Sequence, residues 1–160
     1  MPPRKGQSQA STFDEAFEQI QIAEQGEISS VWVAERHFLP WRSVTSAPTV
    51  LCSAIAARTE RLRVGTAVNV LPLTNPVRLA EEITTLDHIC HGRFELGVGR
   101  SSGQEAYVGF NVPYTESQSR FSEAFDIIQL ALTQDRFSYH GRFHTSVSYT
   151  HLTLPTILLV

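Results

Sequence analysis

Cysteine is scarce, and basic runs and long apolar runs are missing. There are two cysteines, Cys52 and Cys90. They fall in predicted helices and form no disulfide framework, CxxC pair or zinc spacing, so the expectation is two buried thiols in a reducing cytoplasm. A net charge of −3 and the lack of any Lys/Arg cluster argue against nucleic acid and against an anionic membrane as partner. No segment approaches the roughly 20 consecutive apolar residues of a membrane span. The leading MPPRKGQSQ is basic and then polar, with no apolar core behind it, so it is not read as a secretory signal. His88, Cys90 and His91 invite a metal reading, but on a helix they point in different directions and no second ligand pair follows, so no metal is expected.

What is present is a chain of 160 residues, 42% apolar and 18% charged, which suffices for a core. Its organising stretch, residues 62–100, reads as strand, helix, strand. Residues 62–70 are rich in β-branched residues and are bounded by Pro72, and residues 94–98 form a short apolar run closed by Gly99, both suited to strands buried on two faces. Between them Asn75 can cap a helix, Pro76 fits its first position, Val77, Ala80, Ile83 and Leu86 share one face, and Gly92 marks its end. Such a unit pairs its strands in parallel.

In chain order, Thr12 and Glu15 are expected to cap a helix with an apolar stripe of Phe13, Ala16, Phe17, Ile20 and Ala23, ending at Gly26. A strand is predicted over 30–34, a loop over 35–46 and a helix over 48–59. Beyond Arg100, SSGQEAYVGFNVP reads as a loop. Thr115 and Gln118 are expected to cap a long helix ending near Asp135, and residues 137–144 suggest a hairpin turning at Gly141.

The run GTAVNVLPLTNPVRLAEE, then LDH, then GRFELGVGR, preceded by VWVAERHF, resembles the bacterial luciferase-like family of flavin-dependent monooxygenases over about residues 12–144. The resemblance implies an α/β fold, the TIM (β/α)8 barrel, with parallel strands and helices outside. A whole barrel typically takes about 250 residues, so roughly its first half is expected here. Three segments are therefore expected: residues 1–11 disordered or mis-started, 12–146 an incomplete barrel domain, and 147–160 a non-native tail. The tail's VSYTHLTLPT resembles a translated transposase adapter of sequencing libraries, while a native strand over TLPTILLV is the alternative.

Active sites of such barrels lie at the carboxyl ends of the strands. That directs attention to Glu35, Arg36 and His37, to Ala67, Val68 and Asn69, and to Gly99, Arg100, Ser101 and Ser102. Arg100 matches the family arginine that contacts the flavin phosphate, and a guanidinium suits a phosphate by its paired donors. Ser101 stands where many relatives carry glycine. Ala67 and Val68 match the place where the family bends a strand through a non-proline cis peptide against the flavin ring. His37 is the catalytic candidate, although in the luciferases proper two histidines are adjacent, the first is the one implicated, and Arg36 holds that place here. Glu35 is read as a partner for Arg36, and Asp87 as an ion-pair partner for Arg78 or Arg93. The structural alternatives are a surface or salt-bridged Arg100, a hydrogen-bonded loop histidine and an ordinary buried strand. Tyr107 and Phe110 either cover a flavin or pack the loop.

The resemblance implies an enzyme that uses reduced FMN and O2 to oxygenate a small organic substrate, with a flavin reductase as partner and a homo- or heterodimer as the full-length form. A deazaflavin-dependent oxidoreductase, a non-catalytic partner subunit and an inactive fragment are the alternatives. A soluble, cytoplasmic protein is expected, although the 160 residues alone would leave strand edges open and associate.

Overall fold

The computed structural model describes residues 4 and 6–150, the side chains of 148–150 excepted. Expectations for residues 1–3 and 5, and for 151–160, lie outside the described residues. The first helix, α1, is Gln9–Gln25. It starts ahead of Thr12 because the Ser8 hydroxyl accepts the Ser11 N–H at 3.1 Å and so takes the capping role. Thr12 instead lies inside the helix, 3% exposed, with its hydroxyl donating to the Ser8 carbonyl.

Three strands, β1 (Ser30–Val33), β2 (Arg63–Thr66) and β4 (Phe94–Glu95), form one parallel sheet in the order β1-β2-β4. Val31 pairs with Val64 and Val64 with Phe94. The predicted strand over 62–70 is divided, because β2 stops at Thr66 and the chain resumes as β3 (Asn69–Val70), which pairs in parallel with β5 (Val98–Gly99). The Thr66 hydroxyl fills the gap: it donates to the Gly97 carbonyl at 2.9 Å and accepts the Gly97 N–H at 3.1 Å. A side chain thus satisfies backbone groups that a continuous ladder would have paired.

Helices α2 (Pro48–Ala56) and α3 (Pro76–Ile89) are the crossovers. The start of α3 is as read from the sequence: Asn75 Oδ1 accepts from Val77 N and Arg78 N at 3.1 Å each, with Pro76 in the first turn. It ends where Gly92, at φ +76°, donates its N–H to the Asp87 carbonyl. Ile55 from α2, Leu79, Ile83 and Leu86 from α3, and Val33, Val64 and Phe94 from the strands make the core. Each such buried side chain contributes about 1.5–3 kcal/mol. Cys52 and Cys90 are free, fully buried thiols within it, and burial pushes the Cys52 thiol up to about 12.

The segment after Arg100, read from the sequence as a loop, contains a short helix, α4 (Gln104–Gly109). Helix α5 is Ser117–Thr133, preceded by a 3-10 turn at Tyr114–Glu116. That turn holds Thr115, so the expected Thr115 cap is replaced by a continuous coil with no side-chain cap. Ala124 and Ile128 of α5 seal the core. The hairpin is longer than the one expected over 137–144: β6 (Arg136–His140) pairs antiparallel with β7 (Thr145–Thr150), so its second strand lies beyond the expected range and reaches residues read from the sequence as tail. The Glu123 carboxylate of α5 holds its turn by accepting the N–H groups of Arg142, Phe143 and His144 at 3.0, 2.9 and 2.6 Å. Among the described residues no helix is long and apolar enough to cross a membrane.

Candidate active site at the carboxyl ends of the strands

Because β1, β2 and β4 are parallel, as are β3 and β5, the segments that follow them leave from one end. The geometry therefore brings the sequence-derived candidates to one rim. Residues Glu35, His37, Val70, Ser101, Gly103 and Ala106 line a common cleft there. The loop after β1 is fixed by the Arg36 N–H, which donates to the Thr45 carbonyl at 2.8 Å.

Glu35 does not serve Arg36 as the sequence suggested. Its Oε1 lies 2.6 Å from His37 Nε2, and its Oε2 accepts the Val70 N–H at 2.8 Å. Phe110 meets the His37 ring edge-on, with centroids 4.8 Å apart. Phe38, at φ +58°, completes the aromatic group 5.6 Å from Phe110.

The Ala67–Val68 peptide is cis, at the position the resemblance assigned. Ala67 is exposed and Val68 half-buried, so an apolar surface faces outward beside a sheet end. Gly99 is required there: a Cβ on it would lie 2.7 Å from Val68 Cγ2. Asn69 is 5% exposed, and its Oδ1 is buried with no hydrogen-bond partner among the described residues. A desolvated amide oxygen without a donor costs about 1–3 kcal/mol, so this atom is poised for a donor from outside the chain.

Arg100 is exposed, and its Nη1 donates to Ser117 Oγ at 3.2 Å. Among the described residues it has no carboxylate partner, which sets aside the structural ion pair. Tyr107, 1% exposed, donates its hydroxyl to the Arg100 carbonyl and packs edge-on against Tyr114. Burial pushes the Tyr107 phenol up, so it stays a donor. Tyr107 therefore packs the loop, while Phe110, 42% exposed, faces the rim with His37. Ser101 sits at φ +57°, a conformation in which glycine is unstrained, and its Oγ accepts the Gly103 N–H at 3.1 Å. Ser102 is exposed beside it.

Asp87, read from the sequence as an ion-pair partner for Arg78 or Arg93, is fully buried beside the Cys90 thiol. Arg78 pairs with Glu82 at 3.0 Å, and Arg93 directs its N–H groups to the carbonyls of Cys90, Leu62, Ala56 and Thr59 and to the Thr59 hydroxyl. Among the described residues no group of three or more His, Cys, Asp or Glu is arranged to hold a metal. Sequence reasoning missed Ser117 and the Glu35–His37 contact. The i, i+2 spacing signalled the second, and nothing local signalled the first.

These residues fit a phosphorylated flavin: an exposed guanidinium for the phosphate, an outward apolar surface for the rings and an unsatisfied amide oxygen for a ring N–H. Known proteins agree in fold. The chain is similar to the monooxygenase RslO1 of Streptomyces bottropensis, with a TM-score of 0.88 and 26% identity over 92% of this chain and 45% of that one. It is also similar to the oxygenating constituent of 3,6-diketocamphane monooxygenase of Pseudomonas putida, solved in complex with FMN, with a TM-score of 0.83 and 23% identity over 89% of this chain and 41% of that one.

Among curated sequences, protein y4vJ of Sinorhizobium fredii is 39% identical over 94% of this chain and 44% of its own length. The alkanal monooxygenase beta chain of Photorhabdus luminescens is 33% identical over 71% and 35%. A deazaflavin-dependent glucose-6-phosphate dehydrogenase of Kineococcus radiotolerans is 34% identical over 78% and 38%. The chain thus spans less than half the length of each of these curated relatives. The model of the luciferase-like monooxygenase family matches residues 1–157. With parallel strands, crossover helices and this match over nearly its whole length, the chain belongs to the luciferase-like monooxygenase family.

Proposed function

We propose that this chain forms the flavin-facing part of a partial (β/α)8 barrel in a monooxygenase that uses reduced FMN and O2 to oxygenate a small organic substrate. The observation that carries the reading is the Asn69 Oδ1 atom, buried without a donor among the described residues, on the rim that also holds Arg100. Bound reduced FMN supplies two electrons, so that one atom of O2 enters the substrate and the other leaves as water. Arg100 holds the phosphate by its guanidinium fork, with the Ser101 and Ser102 hydroxyls beside it. Ala67 and Val68 give the rings an apolar bed that Gly99 keeps open, and Asn69 accepts a ring N–H. His37, 11% exposed at its side chain and enclosed by Phe110, holds or releases a proton at the substrate side. A separate reductase supplies the reduced flavin, and a second chain completes the dimer.

The test is binding of FMN and riboflavin to the full-length protein and to an Arg100→Ala variant. FMN affinity is expected to fall about 10- to 100-fold while riboflavin, lacking the phosphate, binds unchanged. Equal losses for both ligands would remove the phosphate role. A second reading, hydride transfer with a deazaflavin, is favoured by the similarity to the Kineococcus dehydrogenase. Tighter binding of reduced FMN than of a deazaflavin supports the monooxygenase, and the reverse preference supports the alternative.

A further inference from the structure

The Glu35 carboxylate joins two segments that carry the proposed site. Strand β1 ends at Val33, whose carbonyl accepts the Ala67 N–H at 2.8 Å, and the backbone then turns away into the loop. Further along the neighbouring strand, the Val70 N–H would have no β1 carbonyl to meet. Glu35 Oε2 takes that place at 2.8 Å. The other oxygen, Oε1, sits 2.6 Å from His37 Nε2. Both side chains are about nine-tenths buried, at 10% and 11% exposed.

A carboxylate only accepts hydrogen bonds, so the contact requires the proton on His37 Nε2. In the neutral ring Nδ1 is then the acceptor. We propose that Glu35 is a positioning residue: it ties the loop after β1 to β3 and fixes His37 in the Nε2–H tautomer, leaving Nδ1 as the atom that takes a proton. This rests on the proposed role of His37, but the tautomer is measurable without any flavin.

Glu35→Gln separates the two functions of the carboxylate. The Val70 N–H still needs an acceptor, which the amide oxygen of glutamine supplies. The amide NH2 then faces His37 Nε2, and two donors cannot meet there, so the imidazole proton moves to Nδ1. Long-range proton–nitrogen NMR of histidine-labelled full-length protein, at alkaline pH where an imidazole is neutral, reads this directly. The expected result is Nε2–H in the wild type and Nδ1–H in E35Q. An Nδ1–H wild type overturns the proposal whether or not the variant folds, and so does an unchanged tautomer in E35Q.

Turnover with reduced FMN then distinguishes the two readings. A fall in kcat of about 100-fold or more, with FMN affinity unchanged, supports both. A switched tautomer with unchanged kcat supports the positioning role of Glu35 and removes the catalytic role of His37.

Discussion

The two ends of the parallel sheet use their polar side chains differently. At the amino end Arg93 and Glu24 have backbone tasks, while the buried Asp87 carboxylate lies beside the Cys90 thiol. Arg93 donates to four carbonyls and one hydroxyl at 2.8–3.1 Å, tying the end of α2 and the start of β2 to the end of α3. Glu24 Oε1 accepts three consecutive N–H groups, from Glu60, Arg61 and Leu62, at 2.9, 2.8 and 3.1 Å. At the carboxyl end, among the described residues, the Asn69 oxygen has no hydrogen-bond partner and the Arg100 guanidinium is exposed. Polar groups tied into the backbone stabilise a fold, while a buried acceptor without a donor beside an exposed guanidinium is what a ligand can use. The difference separates residues that hold the sheet from residues available for chemistry, although both sets are polar and both lie at strand ends.

The comparison predicts opposite outcomes for substitutions at the two ends. The largest effect is expected at the amino end, where Arg93→Ala strands buried carbonyls. Stability should fall by roughly 3–5 kcal/mol, read from urea unfolding, with the carboxyl-end residues untouched. A loss below about 1 kcal/mol would place Arg93 among ordinary surface arginines. At the carboxyl end Asn69→Leu replaces an unsatisfied amide by an apolar side chain of similar shape. It should leave stability unchanged or raise it by about 1 kcal/mol, while FMN binds about 5- to 10-fold more weakly. A destabilised Asn69→Leu protein with intact FMN binding would erase the distinction between the ends.

The smallest effect concerns pH. The backbone N–H groups of Arg61 and then Leu62 hold the Glu24 carboxyl below the ordinary carboxylate range. A group with a lowered folded-state pKa contributes stability that is fully present above its unfolded value and is lost as pH falls through the folded one. Wild type should therefore exceed Glu24→Gln in urea midpoint at neutral pH, and the two should converge in acid. A gap that persists at low pH would show that the charge is not what Glu24 contributes.

Much of this fold can be read from local chemistry. Asn75, Pro76 and Gly92 bound α3 as expected because capping depends on residues within one turn of each other. The Thr12 and Thr115 caps failed for the same reason in reverse: Ser8 and the 3-10 turn at Tyr114–Glu116 offered nearer solutions to the same unsatisfied N–H groups. The division of residues 62–70 was hidden, since the Thr66 hydroxyl that bridges it bonds to Gly97 in another strand.

The sequence by itself determined the alternation of strand and helix, the parallel pairing, the family, and the three segments that reach the active rim. Those follow from periodicity, caps and motif order, all of which are short-range properties of a chain. Only the tertiary structure decided which polar atoms were left over. That Glu35 meets His37 and Val70, that Arg100 meets Ser117, and that the Asn69 oxygen meets no donor among the described residues depends on how parallel strands stand beside one another. The register of strands joined by long crossovers is fixed by packing of the whole core, so no local pattern can state it in advance.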